Sequence, residues 1–167
     1  MTLAPKQARY LQRFFPGLIA EVEKLAPGEF VPELPKPRAM GQGLGGIELH
    51  LTYLLNDNHD IQIRVDLQLK RGQPAYVLPL ELEPVDLTRW ERNYYRLHYG
   101  KHLGDCIFRF DLDVSSGHHV HMISDPKVHV ASNLVEPDVR NLDPRKFIQM
   151  VAAYRSQGTY PIRKKKP

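Results

Sequence analysis

Between Ile61 and Lys70 apolar and polar residues alternate without a break. Ile61, Ile63, Val65, Leu67 and Leu69 stand against Gln62, Arg64, Asp66, Gln68 and Lys70. Successive side chains of a strand point to opposite faces, so the pattern describes a strand with one buried and one polar face. Half-solvated strands of this kind belong to antiparallel sheets, because parallel sheets are covered on both faces. The segment before it repeats the pattern, with Ile47, Leu49, Leu51, Tyr53 and Leu55 against Glu48, His50 and Thr52. Between them Asn56-Asp57-Asn58-His59 is turn chemistry, since Asn and Asp tolerate positive φ. The two segments read as a hairpin, with His50 an exposed strand residue and His59 a turn residue.

The rest of the chain extends this sheet. After an Arg71-Gly72-Gln73 turn, Pro74 to Glu83 reads as a third strand, at an edge or bulged because Pro79 lacks a ladder donor. Pro84 to Arg92 is a connection with Thr88 and Glu91 at capping-box spacing. Tyr94 to Tyr99 forms a fourth strand, Cys106 to Met122 a hairpin, and Val128-His129-Val130 a further short strand. At the N-terminus Pro5 suits a first helical turn, and Tyr10, Leu11, Phe14, Leu18, Val22 and Leu25 recur at helical spacing. Pro16-Gly17 predicts a kink there, or two helices with Pro16 opening the second. At the other end Asp143 as cap, Pro144, then Phe147, Ile148, Val151 and Tyr154, closed by Gly158, describe a helix. The expected fold is one α+β domain over residues 1–167. It is a single antiparallel meander of five to six strands, with N-terminal and C-terminal helices packed on one face. Residues 26–46 form a Pro/Gly-rich irregular connection, and 159–167 a basic tail.

Its 167 residues suit one domain. No run of about 18 apolar residues predicts a membrane span, and no leader pattern is present, so a cytoplasmic protein is expected. A lone Cys106 in an apolar strand pattern reads as a buried structural thiol. The net charge of +4 is uneven. Beyond Asp143 there is no acidic residue, whereas Arg145, Lys146, Arg155, Arg163, Lys164, Lys165 and Lys166 are all cationic. That end suits a phosphate backbone, and it equally suits a solvated tail.

Chemistry gathers in the hairpin CIFRFDLDVSSGHHVHM. Phe108, Phe110, Leu112 and Val114 share one face of its first strand, and Arg109, Asp111 and Asp113 the other. In its second strand Val120 and Met122 oppose His119 and His121, while His118 is read as a packed or turn residue. Pairing through Ser115-Ser116-Gly117 puts Arg109, Asp111, His119 and His121 on one polar face, and the fourth strand adds Arg96 and His98. Two histidines can act as general base and acid in cleaving an RNA phosphodiester whose 2′-hydroxyl is the nucleophile. An arginine stabilises the transition-state charge, and an aspartate orients an imidazole. The candidate catalytic residues are thus His98, Arg109, Asp111, His119 and His121, with no cofactor. Tyr94 and Tyr99 are candidates for base stacking. Arg96, Tyr99, Arg163, Lys164, Lys165 and Lys166 are candidates for nucleic-acid contact.

Other chemistries fit parts of this pattern. His119 and His121 present a His-x-His pair to a divalent metal, with His98, Asp111 or His129 as a third ligand. A cupin also uses His-x-His, but it needs a second motif that this chain lacks. Gly41, Gly43 and Gly46 satisfy G-x-G-x-x-G, yet a strand follows instead of a helix, so no dinucleotide site is expected. A non-catalytic nucleic-acid-binding or regulatory module using the basic tail is a further reading. So is a solvated sheet face whose histidines pair with carboxylates.

The run HYGKHLGDCIFRFDLDVSSGHHVHM, with the DPRKFIQMVAAY helix that follows, resembles the TumE-like toxins of bacterial and archaeal toxin–antitoxin pairs. Tyr99, Phe108, Arg109, Phe110, Asp111, His119 and His121 fall on the family pattern of an [I/V]FR[Y/F]D strand, a His-rich segment and a closing helix. The resemblance covers about the C-terminal third. Only Val114 to Gly117 separates Asp113 from the histidines, where the family has a longer loop. The N-terminal 45 residues have no counterpart in it. The resemblance implies a small toxin-like protein that acts on RNA and is held in check by an antitoxin-like partner protein.

Overall fold

The computed structural model describes residues 5–32, 36–40, 43–70, 87–113, 117–122, 125–131, 135–136, 142–161 and 163–164; for 117–136 and a few other positions this extends to backbone and register only. Two helices open the chain, α1 (Lys6–Phe14) and α2 (Leu18–Leu25). Gly17 separates them as the N-cap of α2 at φ 87°, so Pro16 precedes the second helix and does not open it. Only a residue at ease in the left-handed region makes that turn cheaply. Strands follow as β1 (Gly28–Phe30), β2 (Lys36–Met40), β3 (Gly43–Leu55) and β4 (His59–Leu69). After a 3-10 turn at Leu87–Arg89 come β5 (Trp90–Lys101), β6 (Cys106–Asp113), β7 (Gly117–Met122), β8 (Asp125–Ala131) and β9 (Val135–Glu136). The helix α3 (Pro144–Gln157) and a two-residue strand β10 (Arg163–Lys164) close the chain.

The main sheet runs β1-β3-β4-β5-β6-β7-β8, with β2 also paired to β3, and every pairing is antiparallel. The α+β class, the meander and the helices at both ends are as the alternation and the caps imply. Two expectations change. The 26–46 connection is not wholly irregular, because β1 and β2 lie within it and bring the strands of this sheet to eight among the described residues. Pro37 is tolerated in β2 because that strand pairs with β3 alone among the described residues. The strand expected over Pro74–Glu83 lies outside the described residues, and β4 pairs directly with β5.

One face of the sheet is the core. Leu49, Leu51, Ile61, Ile63, Val65, Tyr95, Leu97, Tyr99, Phe108 and Phe110 are buried against Leu11, Phe14, Leu18 and Val22 from α1 and α2 and Phe147, Ile148 and Val151 from α3. Phe147 meets Phe108 and Phe110 edge-on at 5.8 and 5.9 Å, and Phe14 meets Trp90 at 5.7 Å. Each such pair adds about 0.5–1.5 kcal/mol beyond the area it buries. The register between β4 and β5 shifts after Asp66, where Tyr94 is followed by Arg92 as the next partner. That extra residue reverses the side-chain phase, so Trp90 reaches the core although it is out of step with Tyr95 and Leu97.

The C-terminal helix is fixed at both ends. Asp143 accepts from the Arg145 backbone N–H at 2.7 Å, and Gly158 turns the chain at φ 64°. Near its end Arg155 donates to the Tyr99 hydroxyl at 3.1 Å and to Asp57 at 2.7 Å, tying α3 to the β3–β4 turn. The Tyr160 hydroxyl donates to the Ile107 carbonyl. No helix among the described residues is long and apolar enough to cross a membrane.

Candidate active site

The helices cover the apolar face, and on the other face the register lines polar residues into rows. One row crosses five strands as His50, Arg64, Arg96, Asp111 and His119. The next row is Thr52, Gln62, His98, Arg109 and His121. Positions directly opposite in an antiparallel ladder share a face. Arg96, His98, Arg109, Asp111, His119 and His121 therefore occupy adjoining positions on β5, β6 and β7, the neighbourhood their strand periods imply. His119 and His121 enter this arrangement by register alone.

Among the described residues three groups of ion pairs stand on this face, each centred on a buried carboxylate. Asp111 accepts from Arg109 Nε at 2.7 Å through one oxygen and from Arg96 Nε at 3.2 Å through the other. Asp60 holds two imidazoles: His102 Nδ1 lies 3.0 Å from its Oδ2 and His98 Nε2 3.5 Å from its Oδ1, while Gln62 donates at 3.2 Å. Glu48 contacts His50 at 2.6 Å and accepts from Arg64 Nη2 at 3.0 Å. Burial alone would raise the Asp60 carboxyl; its contacts with His98, His102 and Gln62, with the charge of His98, outweigh it and hold Asp60 below the ordinary carboxylate range.

The Asp60 group has a local cause. Asp60 stands opposite Gly100, with His98 and His102 two residues to either side on β5 and its turn. Without a side chain at position 100, both imidazoles close over it onto the carboxylate. A Cβ there would lie 2.9 Å from His98 Nε2 and 2.6 Å from the Asp105 carbonyl oxygen, both closer than real Cβ atoms come.

Several expectations are corrected by these contacts. Asp111 holds two arginines and the described carboxylate beside His98 is Asp60, while His119, opposite Asp111, is placed by register only. Tyr99, expected as a stacking platform for bases, is 2% exposed and packed among His59, Phe108 and Tyr154, so its faces are already occupied. Burial raises its hydroxyl pKa, against the Arg155 hydrogen bond. His50 is half-buried on Glu48, not simply exposed. His59, still a turn-end residue, stacks on Tyr99 at 5.6 Å. In the tail, Arg163 and Lys164 pair with Glu136 and Val135 as β10, whereas Lys165 and Lys166 lie outside the described residues. No three His, Cys, Asp or Glu side chains are grouped to hold a metal among the described residues.

Asp60, His102, Glu48 and Arg64 are members of the face that the motif reading passed over. The signal was present: His98-x-Gly100-x-His102 leaves a gap between two imidazoles, and the hairpin register puts an acid opposite it.

The sequence model of the family described as Toxin TumE matches residues 51–154. No curated protein and no solved structure matches the chain. The match is broader than the C-terminal third on which the resemblance rested. It begins within β3, takes in all of β4 to β8 and ends in α3, so it includes Asp60, Arg64 and the whole Arg96–His121 region. The chain belongs to the TumE toxin family.

Proposed function

We propose that this toxin acts on RNA, cleaving its phosphodiester bonds with paired histidines and without a metal ion. The observation that supports the reading is the row His98, Arg109, His121 across three adjacent strands. Its outer members are about 10 Å apart at the backbone, two strand spacings, which leaves room for a phosphate over the central guanidinium. One imidazole takes the 2′-hydroxyl proton as the 2′ oxygen bonds to phosphorus. The other gives a proton to the 5′ oxygen as its bond to phosphorus breaks. Arg109, held by Asp111, meets the charge that develops on the phosphoryl oxygens. Asp60 orients His98, and His119 stands in the adjoining row beside Asp111.

In this reading an antitoxin-like protein restrains the activity, as membership of a toxin family implies. A metal at His119 and His121 is the competing arrangement, and a chelator separates the two. Purified protein is mixed with RNA of mixed sequence in excess chelator. Cleavage is expected to persist with a bell-shaped pH dependence, and His98→Ala or His121→Ala to lower it by about 10²–10⁴-fold while the protein stays folded. Activity lost to the chelator and restored by one divalent ion would move the function to metal chemistry. Folded histidine variants with full cleavage would leave the face without a catalytic role.

A further inference from the structure

The same face continues past the proposed catalytic rows onto β4 and β3. Arg64 stands directly opposite Arg96, two cations on paired positions of neighbouring strands, an arrangement unfavourable in itself. Each is held from below. Arg64 donates to Glu48 at 3.0 Å, has Nε 3.6 Å from Asp66, and lies over the Tyr94 ring at 4.9 Å. The carboxylates are buried, while Arg64 and Arg96 are 30% and 41% exposed, so the charge presented outward is positive. Buried ion pairs add little stability compared with apolar residues of the same volume. What they do supply is a fixed guanidinium plane.

We propose that Arg64, Arg96 and Arg109 form a track for the backbone of single-stranded RNA, leading from β4 to the phosphate over Arg109, with the Arg64–Tyr94 stack as a platform for an unpaired base. The proposal rests on the RNA-cleavage reading and names where the strand flanking the cut lies. From β4 to β6 is two strand spacings, about 10 Å. Guanidinium planes suit this use, because they bind phosphate in a fork and stack on bases.

The test is binding. A fluorescein-labelled short RNA of mixed sequence is titrated by anisotropy with the His98→Ala/His121→Ala protein, which leaves the probe intact, over a series of salt concentrations. Adding Arg64→Gln is expected to weaken binding by about tenfold and to reduce the slope of log affinity against log salt by about 0.7, one phosphate contact on a single strand. Adding Glu48→Gln as well leaves net charge as in the parent and strands no carboxylate opposite a missing arginine at that pair. It is expected to bind as weakly as Arg64→Gln, and it decides the matter if Arg64→Gln alone does not fold. Parent-like affinity and slope in the folded double substitution would overturn the track, and so would a parent that binds no RNA. Cleavage reports separately. An Arg64 effect on binding, with no RNA cleavage by the unsubstituted protein, keeps the track and removes the catalytic reading. Histidine-dependent cleavage without an Arg64 effect does the reverse.

Discussion

Asp111 is the residue on which the two best-placed arginines depend, and replacing it by Asn removes the charge while keeping the shape. A hydrogen bond to a charged group contributes about 1.5–3 kcal/mol when well shielded. The Arg109 contact, at 2.7 Å with the guanidinium 25% exposed, falls near the lower end of that range. The Arg96 contact, at 3.2 Å with 41% exposure, is closer to a surface pair of about 0.5 kcal/mol. The sum is about 2 kcal/mol, which for a domain of this size lowers Tm by about 4–8 °C. Urea or thermal unfolding of Asp111→Asn, Arg109→Gln, Arg96→Gln and the two pairwise combinations measures the couplings directly. The expected values are about 1.5 kcal/mol for Asp111 with Arg109 and about 0.5 kcal/mol for Asp111 with Arg96. Couplings below about 0.3 kcal/mol for both pairs, which is the ordinary error of additivity, would refute the claim that this carboxylate anchors the site.

Other consequences are as direct. Asp60 has a folded pKa below its unfolded value of about 3.9. Its stabilisation is therefore complete above the unfolded value and lost as pH falls through the folded one; Asp60→Asn should flatten the acid limb of a stability-against-pH curve, and an unchanged limb would contradict the pairing. Gly100→Ala forces a Cβ against the Asp105 carbonyl and His98, so unfolding should show a loss of about 1–3 kcal/mol. Burial, the largest influence on Cys106, pushes its thiol up to about 11. Iodoacetamide at mildly alkaline pH should thus label the native protein about a hundredfold more slowly than the urea-unfolded chain, as thiolate is the reacting form.

The sheet was legible because its information is local. Ile61 to Lys70 states its period, buried face and partner turn within fifteen residues, and Asp143-Pro144 and Gly158 announce both ends of α3. What was hidden depends on contacts between distant segments. Tyr99 reads as a strand aromatic near histidines, but nothing local tells that Arg155, 56 residues on, occupies its hydroxyl. Gln62, two residues from Asp60, joins a group whose histidines lie on β5 and the turn after it, so the partnership of Asp60 with His98 becomes visible only once the register pairs Asp60 with Gly100. Pro37 argued for an irregular connection, because sequence alone does not say that its strand pairs on one side alone among the described residues. Membership of the toxin family was legible from Ile107 to Asp111 and the histidines after them. Its extent back to Leu51 was not, since those strands carry a pattern many sheets share.

The central claim is that paired histidines move protons while the 2′-hydroxyl of RNA attacks its own phosphate. The chemical identity of the cut ends tests this most directly. Mass spectrometry of fragments from an RNA oligonucleotide, cleaved by the purified protein in excess chelator, should find 2′,3′-cyclic phosphate on one side of each cut and 5′-hydroxyl on the other. Fragments with 3′-hydroxyl and 5′-phosphate ends would mean that water was the nucleophile and would contradict the account.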